Sequence, residues 1–586
     1  MCQTILTLVL YLLLSPIYAA SLQYHVEITG IDSSLKDDLS ILLKTKKLEN
    51  KAIPNLFLLK RRIKQDKPVM LDFLRAKGFY SANIDPKIIQ NEEDKTSYKL
   101  LFKITTGMPY LIEEINLQIQ PENSLFKINS NQLPIQVAKP IQASDVLDAE
   151  SDILKQAIKA SYALAKLKKR KVLINHAKHQ AIITLNIDSG PFVRLGEVTF
   201  TGNNQVEKSF LKSTVAWNVN QPYDKKLLAK TREDLMKTNL FNSVRIQHAD
   251  SLDKKGQLPV TMILKERKFK TISTGVDMNT DTGIGLTFMW EHRNYFKQGE
   301  KVKLDLKIAK QSFIKTLYRQ PYFILRNQVF YLGADVLTED TDAFERLSLN
   351  IGTGIERQID SIQTADLRLN FRPVRIKDKT TLEEEDFGLV SLHLSYKRNT
   401  SDNLLDPSQG GRLSIEMAPF SDIFSSGVTF FKWQMSYRKY FLLQTSPRIV
   451  LASRWVVGGI AGNELADIPS DELFFSGGGG SLRGYGYQLA SPLAFNKPEG
   501  GRSLFEFATE IRYRMMEKVG LVFFVDSGSA YRQSTPSFDE IRMGSGLGLR
   551  YVTPIGPLRF DVGIPIDRRK SIDDDYQIYL SIGQAF

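Results

Sequence analysis

Four consecutive glycines occupy residues 477–480, and Ser481 and Arg483 follow them closely. A glycine run of this kind can cradle a phosphate group when Lys-Ser or Lys-Thr follows it and a helix begins there. Neither condition is met in this sequence. The glycine run therefore does not predict a nucleotide site, and taken alone it is typical of a flexible linker.

The residue types that most often carry catalysis are scarce. The chain has one cysteine and six histidines, and the histidines are scattered. The cysteine, Cys2, lies in the leader, so the mature chain would offer no thiol and no disulfide. Neither a Gly-x-Ser-x-Gly elbow nor a His-Glu-x-x-His motif occurs. We therefore predict no enzyme, no metal and no cofactor, and we expect a carboxylate such as Glu510 to join an ionic network rather than act as a general base.

The formal net charge of +13 arises from 78 Lys and Arg against 65 Asp and Glu. The excess is spread along the chain, and its one dense run covers residues 166–171. Such a run is usually a solvated face or a loop. A weaker alternative is a contact for acidic head groups or a partner, and no nucleic acid is predicted.

The first feature along the chain is an N-terminal segment typical of a secretory leader. Residues 5–14 are an almost unbroken apolar run, and Pro16, Ala19 and Ala20 follow. This length is typical of a secretory signal and too short for a membrane helix. We predict a signal peptide over residues 1–20, and a buried N-terminal helix is the alternative.

Residues up to about 268 mix short strands with helical stretches. The best-formed unit has a strand at 198–202, helices at 209–217 and 224–237, and strands at 241–246 and 258–264, in the order β-α-α-β-β. Two looser copies precede it, one of them with a helix over residues 149–167, at a spacing of roughly 75 to 90 residues. The predicted repeats span residues 21–106, 107–192 and 193–268.

Beyond residue 268 the apolar residues recur at every second position, as in residues 302–308 and 505–514. Such alternation predicts strands with one apolar and one polar face. At about 20 residues per strand and connection, residues 269–586 predict about sixteen antiparallel strands, an even number typical of a transmembrane β-barrel. A soluble two-sheet sandwich would also alternate. The predicted last strand covers residues 576–586 and ends in Phe586.

With Arg483, Gly484 and Tyr485 attached, the glycine-rich stretch 474–485 closely resembles the signature of the TamA/BamA superfamily. In that family this stretch lies on a long extracellular loop that folds back into the barrel, and its arginine meets an aromatic residue and an aspartate. The matching strand here is 521–528, where alternation places Phe524 and Asp526 on one face. The resemblance therefore implies that Arg483 and Asp526 form a latch that holds the loop inside.

Other stretches resemble the same superfamily. Residues 398–410 resemble its mid-barrel turn, and residues 546–561 resemble its penultimate hairpin. The phrases at residues 106–110, 189–192 and 239–244 resemble POTRA repeats, the polypeptide-transport-associated domains. Three repeats and this chain length look more like a TamA-like member than like the five-repeat BamA.

The resemblance implies a factor in the outer membrane of a Gram-negative bacterium that inserts or exports β-barrel and autotransporter-type proteins. A weakly paired seam between the first strand, near residues 271–278, and the last strand, which Gly583 interrupts, would template client strands. The POTRA arm in the periplasm would bind unfolded clients or a TamB-like inner-membrane partner. The alternatives are a BamA-like general assembly subunit, a two-partner secretion pore, and a passive pore or receptor.

Overall fold

The computed structural model describes residues 22–122, 124–279, 283–424, 427–554, 556–582 and 584–586. The predicted signal peptide, including Cys2, and the predicted strand interruption at Gly583 lie outside these residues. No helix among the described residues is long and apolar enough to cross a membrane. The chain divides into two compact units, Met1–Thr199 with Trp217–Ala229 and Gln247–Thr261, and Phe200–Ala216 with Lys230–Ile246 and Met262–Phe586.

The first repeat packs its helices on a three-stranded sheet whose last strand lies in the middle. Its longest helix begins where the Asn55 side chain accepts a hydrogen bond from the Leu58 backbone at 3.1 Å, which caps the helix. The helix ends before Gly78, whose φ of +92° favours glycine. The elements are strand Gln23–Thr29, helices Ser33–Leu42, Lys44–Lys47 and Leu56–Ala76, and strands Asn83–Gln90 and Ser97–Thr105.

In the second repeat, the helix predicted over residues 149–167 is wrong at both ends. The helix begins earlier, and the chain turns at Ser161, which has a φ of 69°. The basic run then forms an edge strand in which Leu167 and Val172 pack against the core while most of the lysines face solvent. The run is thus a solvated face and not a loop. The elements are strand Leu111–Gln120, a 3₁₀ turn Ser130–Gln132, helix Ala143–Lys159, and strands Lys166–Asn175 and Gln180–Asp188.

The third repeat has the predicted order β-α-α-β-β, which is confirmed. Its sheet again places the last strand between the other two. The first helix is shorter than predicted and ends at Ser213. The elements are strand Arg194–Thr201, helices Lys208–Ser213 and Lys225–Lys237, and strands Phe241–His248 and Gln257–Glu266.

The remaining residues form one antiparallel sheet of sixteen strands, which confirms the predicted fold class. Each strand pairs with its neighbours in chain order. The strands are β1 Lys270–Asn279, β2 Gly283–His292, β3 Lys301–Ile308, β4 Gln311–Pro321, β5 Gln328–Asp340, β6 Phe344–Gln358, β7 Gln363–Asp378, β8 Glu384–Asn399, β9 Gly410–Asp422, β10 Thr429–Thr445, β11 Arg448–Gly462, β12 Ser503–Arg514, β13 Val519–Tyr531, β14 Arg542–Thr553, β15 Gly556–Pro565 and β16 Gln577–Ile582.

The predicted alternation sorts side chains between the outside and the lumen of this barrel. In β13, Leu521 and Phe523 are 45% and 50% exposed, whereas Val522 and Phe524 are fully buried. Large apolar side chains on the outer face are typical of a surface that contacts lipid. Phe524 and Asp526 share the inner face, as predicted.

The two ends of the barrel differ in their connections. We call the end at which β1 begins, directly after the third repeat, the entry end, and the opposite one the far end. Because the strands are antiparallel, the long connection between β11 and β12, residues 463–502, starts at the far end. We call this connection the long loop. It contains 3₁₀ turns Leu465–Asp467 and Ser470–Glu472 and the short paired strands Leu493–Ala494 and Lys497–Pro498.

Candidate loop latch in the barrel lumen

The long loop folds into the lumen, and its tip is buried there. Arg483 and Tyr485 are among the largest fully buried side chains of the described residues. Gly484 between them has a φ of +102°, and a Cβ at this position would lie 2.7 Å from the Ile564 carbonyl oxygen on β15. Only glycine allows the loop backbone to approach the barrel wall this closely.

Arg483 and Asp526 form a bidentate ion pair. Arg483 Nε lies 2.6 Å from Asp526 Oδ2, and Nη2 lies 2.8 Å from Oδ1. The backbone N–H of Arg483 also donates to Oδ2 at 3.1 Å. Two parallel charge-assisted hydrogen bonds fix the orientation of the guanidinium as well as its position. The structure thus brings together the two residues of the predicted latch.

Phe524 lies beneath the same guanidinium. The central carbon of the Arg483 guanidinium is 3.5 Å from the centre of the Phe524 ring. A cation stacked on an aromatic face is attracted by the electrons of the ring, more strongly where water is excluded. The aromatic residue, the aspartate and the arginine therefore form one compact contact.

Glu510, on β12, joins the latch to a wider ionic network. Its Oε1 accepts from Arg483 Nη1 at 2.6 Å, and its Oε2 accepts from Arg512 Nε at 2.8 Å. A carboxylate held between two guanidinium groups is stabilised in its ionised form. This arrangement suits a charge that holds position rather than one that transfers protons.

Asp561 on β15 is a third acceptor, which the sequence analysis did not assign. It accepts from Arg483 Nη1 at 3.1 Å, from Arg559 Nε at 2.6 Å and from Arg550 Nη1. Because Arg559 and Asp561 are two residues apart on one strand, their shared face was readable from the alternation. Their meeting with the loop was not. We call the following seven residues the latch cluster: Arg483, Glu510, Arg512, Asp526, Arg550, Arg559 and Asp561.

Tyr485 and the last strand complete the tip contacts. The Tyr485 hydroxyl donates to the Met543 carbonyl at 3.0 Å. Tyr579, on β16, accepts from the Gly484 N–H at 3.0 Å and donates to the Tyr485 carbonyl at 2.7 Å. The tip of the loop is thus hydrogen-bonded to β16, the last strand of the sheet.

Two glycines of β14 make room for the tip and were also missed from sequence. A Cβ at Gly544 would lie 1.9 Å from the Arg483 carbonyl oxygen, and one at Gly546 would lie 2.5 Å from Phe524 Cζ. The signal existed, because an isolated glycine inside a strand often marks a close backbone approach.

The glycine run itself is held by a second ion pair. Arg454 on β11 donates from Nη2 to Glu506 Oε2 at 2.9 Å and from Nη1 to the Gly480 carbonyl at 2.9 Å. Glu506 also accepts from the Ser476 hydroxyl at 2.8 Å. The glycine run is thus a fixed part of the long loop inside the lumen and not a flexible linker.

At the base of the long loop the charges have the opposite sign. Asp471 accepts from Arg346 at 3.0 Å and from Arg372 at 2.8 Å, and Glu472 accepts from Arg372 and, at 2.9 Å, from Lys432. Here the loop supplies the carboxylates and the strands supply the cations. Sequence analysis did not identify this base cluster.

The last strand differs from the prediction. It was expected to cover residues 576–586, but the strand ends at Ile582. Phe586 lies outside the strand, and its buried side chain packs with Tyr440, Val450 and Ala508. Arg512 Nη2 donates to the Phe586 carbonyl at 2.9 Å. Apolar contacts and the Arg512 cation thus hold Phe586 in the lumen, outside the sheet.

Asp406 ties this segment to the entry-end turn that resembles the superfamily's mid-barrel turn. It accepts from Gln584 at 3.0 Å and from Arg448 and Arg514, each at 2.6 Å. Burial raises the pKa of Asp406, but Arg448, Arg514 and the Gln584 hydrogen bond together lower it below its usual value. The turn residue therefore remains ionised at neutral pH.

Comparison with known proteins identifies the class of the chain. Residues 294–586, half of the chain, match the Omp85 superfamily domain, and residues 193–267 match a POTRA domain described as a surface antigen variable number repeat. The chain belongs to the Omp85 superfamily. It lies in the outer membrane with its POTRA repeats in the periplasm, so the far end of the barrel faces the cell exterior.

Individual relatives are distant. The outer membrane protein assembly factor BamA of Neisseria meningitidis serogroup B is 21% identical over 606 residues, covering 90% of this chain and 73% of the relative. That of Nitratidesulfovibrio vulgaris is 24% identical over 473 residues, covering 76% of this chain and 58% of the relative. Such assembly factors are not enzymes, and neither is this chain.

A solved structure supports the fold. BamA from Haemophilus ducreyi lacking POTRA domains 1–3 superposes with a TM-score of 0.70 at 16% identity, covering 81% of this chain and 100% of that chain. The superfamily resemblance inferred from residues 474–485 is confirmed by the Omp85 match, which includes them.

Proposed function

We propose that this chain is a BamA-type assembly factor that inserts outer-membrane proteins through the seam between β1 and β16. One observation carries the proposal. Within the described part of the chain, β1 pairs with β2 and β16 pairs with β15, and no ladder joins β1 to β16.

The lengths of the two seam strands support this function. β1 has 10 residues, whereas β16 has 6 and is followed by a segment that turns into the lumen. Residues 272–276 of β1 are all exposed. Even a fully closed seam would leave part of β1 without a partner, and unpaired edge N–H and C=O groups bind an incoming strand by β-augmentation.

In this proposal the latch has a mechanical role. Arg483, Gly484 and Tyr485 bind β12, β13, β15 and β16 at one point, with Phe524, Asp526 and Glu510 as partners. The wall next to the seam is then rigid while the seam itself stays weak. The barrel wall would therefore open at the seam, where a client strand enters, and Phe586 anchors the end of β16.

The BamA-type function fits the relatives better than the TamA-like function expected from chain length and repeat count. The periplasmic partners would then be Bam-type lipoproteins and unfolded outer-membrane proteins rather than a TamB-like inner-membrane protein. We propose that the repeats occupy residues 21–106, 107–192 and 193–268 and the barrel residues 269–586. Each repeat offers a sheet edge to which an extended client could add a strand.

Site-specific photocrosslinking tests the seam. A photoreactive phenylalanine analogue at Ile272, which is 66% exposed on β1, should capture nascent outer-membrane proteins in growing cells. The control position is Ile314, which is 56% exposed on β4, a strand paired on both sides. Equal capture at both positions, or none at Ile272, would refute a templating seam.

A passive pore is the competing function, and the buried loop tip opposes it. Conductance in a planar bilayer separates the two. An assembly factor that works through the β1–β16 seam, with residues 474–485 filling its lumen, should show small and unstable conductance. A large, steady conductance in the wild-type protein would favour the pore.

A further inference from the structure

A cavity of about 340 Å³ opens at the far end of the barrel, which faces the cell exterior. It lies between the turn that joins β7 to β8 and the base of the long loop. It is separate from the latch cluster and from the seam, so nothing proposed above uses it.

The floor of the cavity is apolar. Ile376 from β7, Phe387 from β8, and Ile468 and Leu473 from the long loop line it, and all four belong to the main hydrophobic cluster of the barrel. Apolar walls with a few polar groups are typical of sites for small organic ligands. The floor can therefore hold an aliphatic stem.

The rim of the cavity is acidic and unbalanced. Glu383, Glu385 and Glu464 line it, are exposed, and form no ion pair within the part of the chain that the structure describes, whereas Glu499, which also lines it, pairs with Arg532. The neighbouring base cluster behaves differently, because Asp471 and Glu472 are each held by two cations. Carboxylates are thus neutralised one turn away but left free at this rim.

Ser470 also lines the cavity, but its side chain is enclosed by protein: the residue is 8% exposed and its hydroxyl oxygen is buried. The cavity therefore offers an apolar floor and carboxylates that form no ion pair among the described residues.

We propose that this cavity binds an organic cation with an aliphatic stem, such as a diamine or a polyamine. The stem lies on the floor and the ammonium groups lie at the Glu383, Glu385 and Glu464 carboxylates, which attract cations and repel anions. A metal ion fits less well, since no group of three or more metal-ligating side chains occurs among the described residues.

Calorimetric titration of the purified full-length protein in detergent micelles tests the proposal. The probe is 1,8-diaminooctane, and suberate, a dicarboxylate of equal length, is the matched anion. We expect saturable binding of the diamine with a stoichiometry near one, weakened by salt, and no binding of suberate. Glu383→Gln with Glu385→Gln should weaken binding about tenfold, since two charge contacts are lost.

Asp539→Asn with Glu540→Gln is the matched control, because both residues are exposed on another far-end loop and do not line the cavity. Heat-modifiable gel mobility verifies that each variant is folded. The proposal is overturned if the diamine does not bind, if suberate binds equally well, if magnesium chloride at equal ionic strength displaces the diamine better than sodium chloride does, or if the control pair weakens binding as much as the rim pair.

Discussion

The tip and the base of the long loop are both held by ion pairs, but the loop supplies the cation at the tip and the carboxylates at the base. At the tip, the loop supplies Arg483 and the strands supply Glu510, Asp526 and Asp561. At the base, the loop supplies Asp471 and Glu472 and the strands supply cations. The loop thus carries a cation at its tip and carboxylates at its base, and each meets strand side chains of the opposite charge.

The two clusters also differ in burial and redundancy. Arg483 is 1% exposed and stacked on Phe524, and it is the only ion-pair partner of Asp526 among the described residues. At the base, Arg346 also pairs with Glu339 at 2.6 Å, and Arg372 contacts both loop carboxylates. The tip is therefore the more vulnerable cluster.

The largest effect is expected at the tip. Arg483→Ala leaves the buried Asp526 carboxylate without an ion-pair partner, which costs about 3 to 5 kcal/mol. Asp526→Ala removes the bidentate pair that orients Arg483 and leaves only its contacts with Glu510 and Asp561. Function in a depletion strain should be lost, while heat-modifiable mobility shows that the barrel still folds. Arg375→Ala removes an equally bidentate but exposed pair with Asp386, at 2.8 and 3.1 Å, and should have little effect. Wild-type activity in both tip variants would reject the latch.

The next effect concerns the close approach of the loop to β14. Gly544→Ala puts a methyl group 1.9 Å from the Arg483 carbonyl oxygen, so the tip must move, at a cost of about 1 to 3 kcal/mol. Gly480→Ala is the matched control, because a Cβ there meets nothing within 4 Å. Limited proteolysis of the loop should be faster only in the first variant. Similar rates in the two variants would show that the tip is not held against β14.

A smaller effect is expected at the base. In Asp471→Asn, Arg346 retains Glu339 and Arg372 retains Glu472, so no cation is left alone. We expect a loss of about 1 to 2 kcal/mol, measured as a lower melting temperature of the folded barrel. A loss as large as that of Arg483→Ala would show that the two clusters do not differ in redundancy.

The smallest effect is a pH dependence of the base. Burial by itself raises the pKa of Glu472, but the nearby cations Lys432 and Arg372 outweigh burial and lower the pKa to about 2. A depressed folded-state pKa adds stability above the unfolded value of about 4.3, and this stability is lost as the pH falls toward 2. Melting temperatures of wild type and Glu472→Gln should therefore differ by a constant amount from pH 7 to 5 and converge below about pH 4. A difference that disappears between pH 7 and 5 would contradict this assignment.

The latch was predicted from the resemblance to the TamA/BamA superfamily, and strand alternation, which is a local property, supported that prediction. The parity of residues 521–528 places Phe524 and Asp526 in the lumen without any knowledge of the neighbouring strands. Arg550, Arg559 and Asp561 are equally local in parity, but parity does not say which lumen residues meet. That depends on the register of the whole sheet and on the path of the long loop.

By itself, the sequence determined the element order of the third repeat, a number of about sixteen strands and the shared face of Phe524 and Asp526, and its signature motif pointed to Arg483. These follow from periods of 2 and 3.6 residues and from short motifs. Only the tertiary structure decided that Asp561 shares Arg483, that Gly544 admits the loop backbone, that the base carries the opposite charge, and that residues 584–586 leave the sheet. Each of these outcomes joins residues far apart in the chain, and their energies depend on burial and distance, which no local pattern encodes.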